Sequence, residues 1–180
     1  MSLANSRETL KELPEDLITA QSLLYTPCKF NCTQPTAEAE SADYAAYTFE
    51  LNGLFVKYRI AKITPTKIGQ FVTIWKRIEN GPIQPFHTSD DIDLFVISTR
   101  DGDRCGQFIF PKKLLQEKRI ISTDHKEGKR AISVYPPWDI TISKQAQKTQ
   151  QWQLAYFLEI TAGQPIDFER AHMLYSGKTK

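Results

Sequence analysis

Apolar positions recur along this chain with two different periods, and the switches between them mark out its elements. In "LPEDLITAQSLLY", Leu17, Ile18, Leu23 and Leu24 fit one face of a helix, Pro14 suits its first turn, and Glu15 and Asp16 oppose the helix dipole favourably. "YAAYTFELNGLFVKYRIAKI" has period two instead, and reads as a pair of β-rich runs joined by Asn52-Gly53, the strongest short hairpin signal. On the second run Val56, Tyr58 and Ile60 point one way while Lys57 and Arg59 point the other, which predicts a core face and a cationic face. "TPTKIG" turns the chain into "QFVTIWKRIE", a third strand with Val72, Ile74 and Lys76 on one face and Phe71, Thr73, Trp75 and Arg77 on the other.

Further along, "IDLFVIST" and "GQFIF" pair through "RDGDRC" as a second hairpin, and "PKKLLQEK" begins a short helix at Pro111. "KRAISVYPPWD" is a strand ended by Pro136 and Pro137, which cannot donate to a ladder. "SKQAQKTQQWQLAYFLEI" predicts a longer amphipathic helix with Ala146, Trp152, Ala155, Tyr156 and Ile160 towards the core. The order predicts one α+β domain over residues 1–180, a mixed, largely antiparallel sheet flanked by helices, with residues 1–13 and 173–180 peripheral.

Composition narrows what such a domain can do. Its 180 residues suffice for one core, and a net charge of +2 means that attraction to a polyanion must come from a local patch. No segment has the length and apolarity of a membrane span, and "MSLANSRETLKEL" lacks the apolar run of a signal peptide, so a cytoplasmic protein with no membrane partner is expected. Cys28, Cys32 and Cys105 are odd in number and suit a reducing compartment, and with only His87, His125 and His172 to help them they predict free thiols rather than a zinc site.

A local patch exists in "RIAKITPTKIGQFVTIWKR", which holds five Lys or Arg residues and no acid. Arg59, Lys62, Lys67, Lys76 and Arg77 on a stiff ribbon could neutralise successive phosphates, with Trp75 shaping the surface and Lys112, Lys113, Lys129 and Arg130 adding to it. The competing reading is a solvated sheet face whose lysines guard its edges against aggregation. Asp91 and Asp93 share a side if extended, and Glu38 and Glu40 lie in "TAEAES"; a metal site needs several convergent ligands, so the pattern favours a polar loop for the first pair and a solvated stretch for the second. Trp138 after its prolines could stack on a base or cap a strand end. No Ser-His-Asp order, P-loop, dinucleotide fingerprint or HExxH occurs.

"AKITPTKIGQFVTIWKR", the "PF....DDID" segment, "GQFIFPKKLL", "GKRAISVYPPWD" and "KQAQKTQQWQ" together resemble the MepB family, from about Glu38 to about Phe157. The resemblance implies a fold similar to type II restriction endonucleases of the PD-(D/E)xK kind, and therefore DNA as partner. Such nucleases hold Mg²⁺ with two carboxylates and steer water with a lysine. Asp93 matches the first acid and Lys112 the lysine, but Phe110 stands where the second carboxylate belongs, and a phenyl ring cannot ligate a metal. Gln107 nearby is neutral and shares a face with Ile109; Asp91, Glu38, Glu40 and Glu50 are the acids that could substitute. The expectation is a protein that holds double-stranded DNA in a basic groove without cutting it, requiring no cofactor. The alternatives are an Mg²⁺-dependent endonuclease with a relocated carboxylate and a protein-interaction or regulatory module.

Overall fold

The computed structural model describes residues 12–178. Helix α1 (Glu15–Ala20) runs on into a π-helical turn, Gln21–Tyr25. Strands follow as β1 (Thr36–Ala37), β2 (Tyr47–Leu51), β3 (Leu54–Ile60), β4 (Lys62–Ile63), β5 (Gln70–Thr73), β6 (Trp75–Arg77), β7 (Ile83–Pro85), β8 (Leu94–Asp101) and β9 (Arg104–Pro111). Helix α2 (Lys112–Glu117), β10 (Ala131–Val134), α3 (Lys144–Leu154), β11 (Phe157–Glu159) and α4 (Phe168–Leu174) complete the chain.

Two hairpins make the central sheet. Asn52 and Gly53, both at positive φ, reverse β2 into β3, and Gly102 turns β8 into β9. The hairpins join through a parallel contact of β3 with β8, giving the order β1-β2-β3-β8-β9-β11 with every other pair antiparallel. Because successive side chains alternate, each long strand feeds two cores. Val56, Tyr58, Leu94, Val96 and Ile109 pack with Leu17 and Leu24 of the N-terminal helix and with Leu174 and Tyr175. Phe95, Ile97, Phe108 and Phe110 pack on the opposite face, against Val72, Ile74, Ile132 and Val134 and against Leu114 and Ile120.

The second layer is where sequence and structure part. The expected third strand breaks at Ile74, whose N–H donates to Arg130 O, so that β5 belongs to a three-stranded sheet (β10-β5-β4) and β6 to a ribbon with β7. This layer covers the central sheet on the side expected to be open and cationic. The long C-terminal helix also ends early, at Leu154. The aromatic and β-branched run beyond it takes the free edge of β9, where Gly106 allows Phe157 close approach: a Cβ there would lie 2.2 Å from the Phe157 ring. Ala155 is consequently exposed, and Gln153 is the fully buried residue of α3, donating to Ser133 O and accepting from Tyr135 N at the margin of β10. Residues 173–175 are not peripheral, since Leu174 and Tyr175 are core; residues 1–11 and 179–180 lie outside the described part.

All three thiols are free. Burial, with Asp16 adding to it, pushes Cys105 up to about 11, so it carries its proton at neutral pH. Among the described residues no helix is long and apolar enough to cross a membrane.

Tyr25 and Tyr175 meet hydroxyl to hydroxyl at 2.8 Å beneath the sheet, and Tyr175 donates onward to Gln107 Oε1. Burial raises the pKa of Tyr25, Tyr58 and Tyr175 above the ordinary value of 10.0. The unfolded chain therefore releases phenolic protons that the folded chain keeps, and stability falls as pH climbs past about 10, by at most about 1.4 kcal/mol per pH unit for each phenol. Tyr175→Phe is expected to cost about 1–3 kcal/mol at pH 7, by stranding its two partners, and to shallow the alkaline loss. Urea titrations at pH 7, 9 and 11 measure both; an unchanged alkaline slope in the variant would count against this reading.

Candidate functional site

Odd-numbered residues of β3 face the second layer, and this brings its two cations into a cleft rather than onto an open face. The cleft, of about 210 Å³, lies between β3 and β6 and is walled by Lys57, Arg59, Trp75, Lys76 and Arg77, by Phe86, and by Glu38 to Glu40 of the β1–β2 connection. Glu38 is its anchor. One carboxylate oxygen accepts from Lys57 Nζ at 2.6 Å and Thr48 Oγ1 at 3.1 Å, and the other meets Arg59 Nη1 at 2.5 Å. Arg59 is 1% exposed, lies 5.4 Å from the Phe95 ring, and donates to its own strand at Tyr58 O. Burial lowers its pKa, and the Glu38 charge and hydrogen bond oppose that shift.

Every other cation in the cleft has an acid as well. Lys76 Nζ is 2.6 Å from Asp90 Oδ1, and Arg77 Nε is 2.9 Å from Glu40 Oε1 with its guanidinium 5.6 Å from the Trp75 ring centre. Asp90 also accepts from the His87 N–H and from Lys112 Nζ, through Oδ2 and its backbone carbonyl, and so ties the loop before β8 to the start of α2. Four cations thus face three carboxylates over a small volume, and the positive charge of the ribbon is largely compensated there.

The structure groups the expected phosphate-binding residues only in part. Trp75, Lys76 and Arg77 converge. Arg59 does not serve a surface: the second layer covers its face of β3, which turns it into an internal counter-charge for Glu38. Lys62 and Lys67 stand outside the cleft, exposed and without an ion pair among the described residues. Lys62 Nζ lies 4.7 Å from the Tyr44 ring centre, and that ring meets exposed Phe71 edge-on at 6.1 Å. Paired across β4 and β5, Lys62 and Phe71 share a face.

Asp93 and Lys112 are neighbours at the end of the β8–β9 pair, where the Lys112 N–H donates to Asp93 O at 3.0 Å. Their side chains are engaged otherwise. Asp93 Oδ2 accepts the Phe55 N–H at 2.8 Å, Lys112 Nζ donates to Asp90 O at 2.6 Å, and Phe110 lies stacked on Phe108 in the core. Among the described residues no three His, Cys, Asp or Glu side chains converge, and the place of a second carboxylate beside Asp93 and Lys112 is taken by Phe110, whose ring cannot ligate Mg²⁺. Trp138 caps the core, edge-on to Phe157 with the Arg104 guanidinium 5.3 Å from its ring centre.

The sequence pattern reads Glu38 as solvated and does not single out Asp90 or Tyr44. A signal for Glu38 existed, because two cations at alternate positions of a predicted strand require an acid if that face becomes covered. The charge pattern makes the two ends of the pair unequal. Glu38→Gln leaves a buried guanidinium without an acid and is expected to cost about 3 kcal/mol, whereas Arg59→Met leaves Glu38 still paired with Lys57 and is expected to cost about 1 kcal/mol or less. Equilibrium urea unfolding of the two variants checks the ordering; equal losses would contradict it.

Comparison with known proteins agrees with the extent of this architecture. A family model described as MepB-like matches residues 38–159, from the anchoring glutamate to the end of β11. A solved structure, "Crystal Structure of MepB", is similar at 39% identity with a TM-score of 0.70, the match covering 74% of this chain and 89% of that one. No curated protein matches. Matching over most of its length in both sequence and structure, the chain belongs to the MepB-like family.

Proposed function

We propose that this protein binds nucleic acid, double-stranded DNA first among the candidates, on the outer face of the β4–β5 ribbon and the adjoining rim of the cleft, in a fold of the restriction-endonuclease kind that holds its partner without cutting it. The observation that carries this reading is the state of Lys62 and Lys67. Both are exposed and neither makes an ion pair among the described residues, so a phosphate approaching them displaces solvent and counterions rather than a carboxylate of that part. Tyr44 and Phe71 beside Lys62 offer ring surface to a sugar or base edge. Trp75, Lys76 and Arg77 extend the same surface, with Arg77 able to exchange its exposed Glu40 pair for a phosphate at small cost, since surface pairs are worth at most about 1 kcal/mol. Asp93 and Lys112 serve this frame as structural ties for the Phe55 strand and the Asp90 loop.

Fluorescence anisotropy of a labelled duplex across a range of salt concentrations tests the proposal. The wild-type protein is expected to bind with a steep salt slope. Lys62→Glu with Lys67→Glu is expected to weaken binding at least about tenfold across unrelated sequences and to lower the slope by about two, one for each lost phosphate contact. Unchanged affinity, or binding insensitive to salt, would return these lysines to the solvent and favour a protein partner. Incubation of the same duplex with Mg²⁺ or Mn²⁺ at high protein excess is expected to leave it intact; cleavage would contradict the binding-only reading.

A further inference from the structure

We propose that the groove between β10 and α3 binds a small phosphorylated molecule that carries a ring, at a site distinct from the Glu38 cleft and from the Lys62–Lys67 ribbon. The groove has a volume of about 420 Å³, twice that of the Glu38 cleft and within the usual range of about 300–1,000 Å³ for small-molecule sites. Its walls come from three directions: Lys118 from the end of α2, Lys129 and Tyr135 from either side of β10, and Thr149 and Trp152 from α3, over a floor that includes Ile120 and Ile132.

The charge pattern is the opposite of that in the Glu38 cleft. No Asp or Glu lines the groove, and neither Lys118 nor Lys129 makes an ion pair among the described residues. A concave surface bearing charge of one sign focuses its field and concentrates counter-ions. Lys118 Nζ is 5.1 Å from the Trp152 ring centre, which places one ammonium beside an aromatic wall with Tyr135 in the same lining. Ser133 and Thr149 add hydroxyls, whereas the Ser143 hydroxyl accepts from the Ala146 N–H. Two ammonium groups call for an anion of more than one charge, and the indole and phenol walls with an apolar floor call for a flat body of limited size. A ring-bearing phosphate meets both demands. Addition of a peptide strand along β10 is disfavoured, because the Gln153 amide already takes Ser133 O at 3.0 Å and Tyr135 N–H at 2.8 Å.

The inference does not rest on nucleic-acid binding, and calorimetry of the full chain at low salt separates the two. Adenosine 5′-monophosphate is the probe, with adenosine and inorganic phosphate as its halves. Saturable binding of the nucleotide at or below about 1 mM is expected, with each half binding at least about tenfold more weakly. Lys118→Gln with Lys129→Gln is expected to reduce nucleotide affinity at least tenfold, while Lys62→Glu with Lys67→Glu leaves it unchanged. Both groove lysines are exposed, so an unaltered thermal melt is expected of that variant. No saturable binding of the nucleotide, nucleotide binding indifferent to Lys118 and Lys129, or weakening of duplex binding alone in that double variant would each overturn the proposal.

Discussion

A buried arginine on the central sheet sets the terms for everything around it. Arg59 stands on the covered face of β3, and an uncompensated guanidinium there would cost several kcal/mol. Glu38 supplies the compensating charge from a segment 21 positions away in the sequence, so the β1–β2 connection has to lie over the β3–β6 cleft. That placement carries the rest of the connection with it. Glu40 reaches Arg77, the Ser41 hydroxyl meets Thr73, and Tyr44 comes to lie between Lys62 and Phe71. The pair gives little stability in its own right, since charges of this kind roughly offset their desolvation; its effect is to fix one arrangement of loop, sheet and second layer.

The same constraint divides the basic ribbon into two populations. Lys57, Arg59, Lys76 and Arg77 hold acids of this chain and define the shape of the cleft. Lys62 and Lys67, and separately Lys118 and Lys129, make no ion pair among the described residues. Counting cations along "RIAKITPTKIGQFVTIWKR" therefore overstates the charge available to a ligand. What matters is how many of them the fold has left without a partner.

Local patterns made much of the fold legible. Asn52-Gly53 and the turn around Gly102 fixed both hairpins, the alternation on β3 assigned Val56 and Tyr58 correctly to one core, and Pro111 marked the start of α2. Long-range pairing was not legible. Nothing near Ile74 announces that its N–H will bond Arg130, and the run after Leu154 suited a helix until the free edge of β9 offered it a partner beside Gly106. Helix α4 and the burial of Tyr175 likewise depend on contacts with the N-terminal helix and with Gln107. The site suffered the same limit: Arg59 and Lys62 are near neighbours in sequence and alike in chemistry, and a covering layer contributed from residues 62–134 separates their roles.

The most direct test of that division is a lysine-selective NMR spectrum, read at the side-chain Cε–H groups, as duplex DNA is added to the full chain. The signals of Lys62 and Lys67 are expected to shift first and furthest, while Lys57, held by Glu38, stays in place. A spectrum in which Lys57 moves and Lys62 and Lys67 do not would contradict the account, because the cleft rather than the outer ribbon would then be meeting the phosphates.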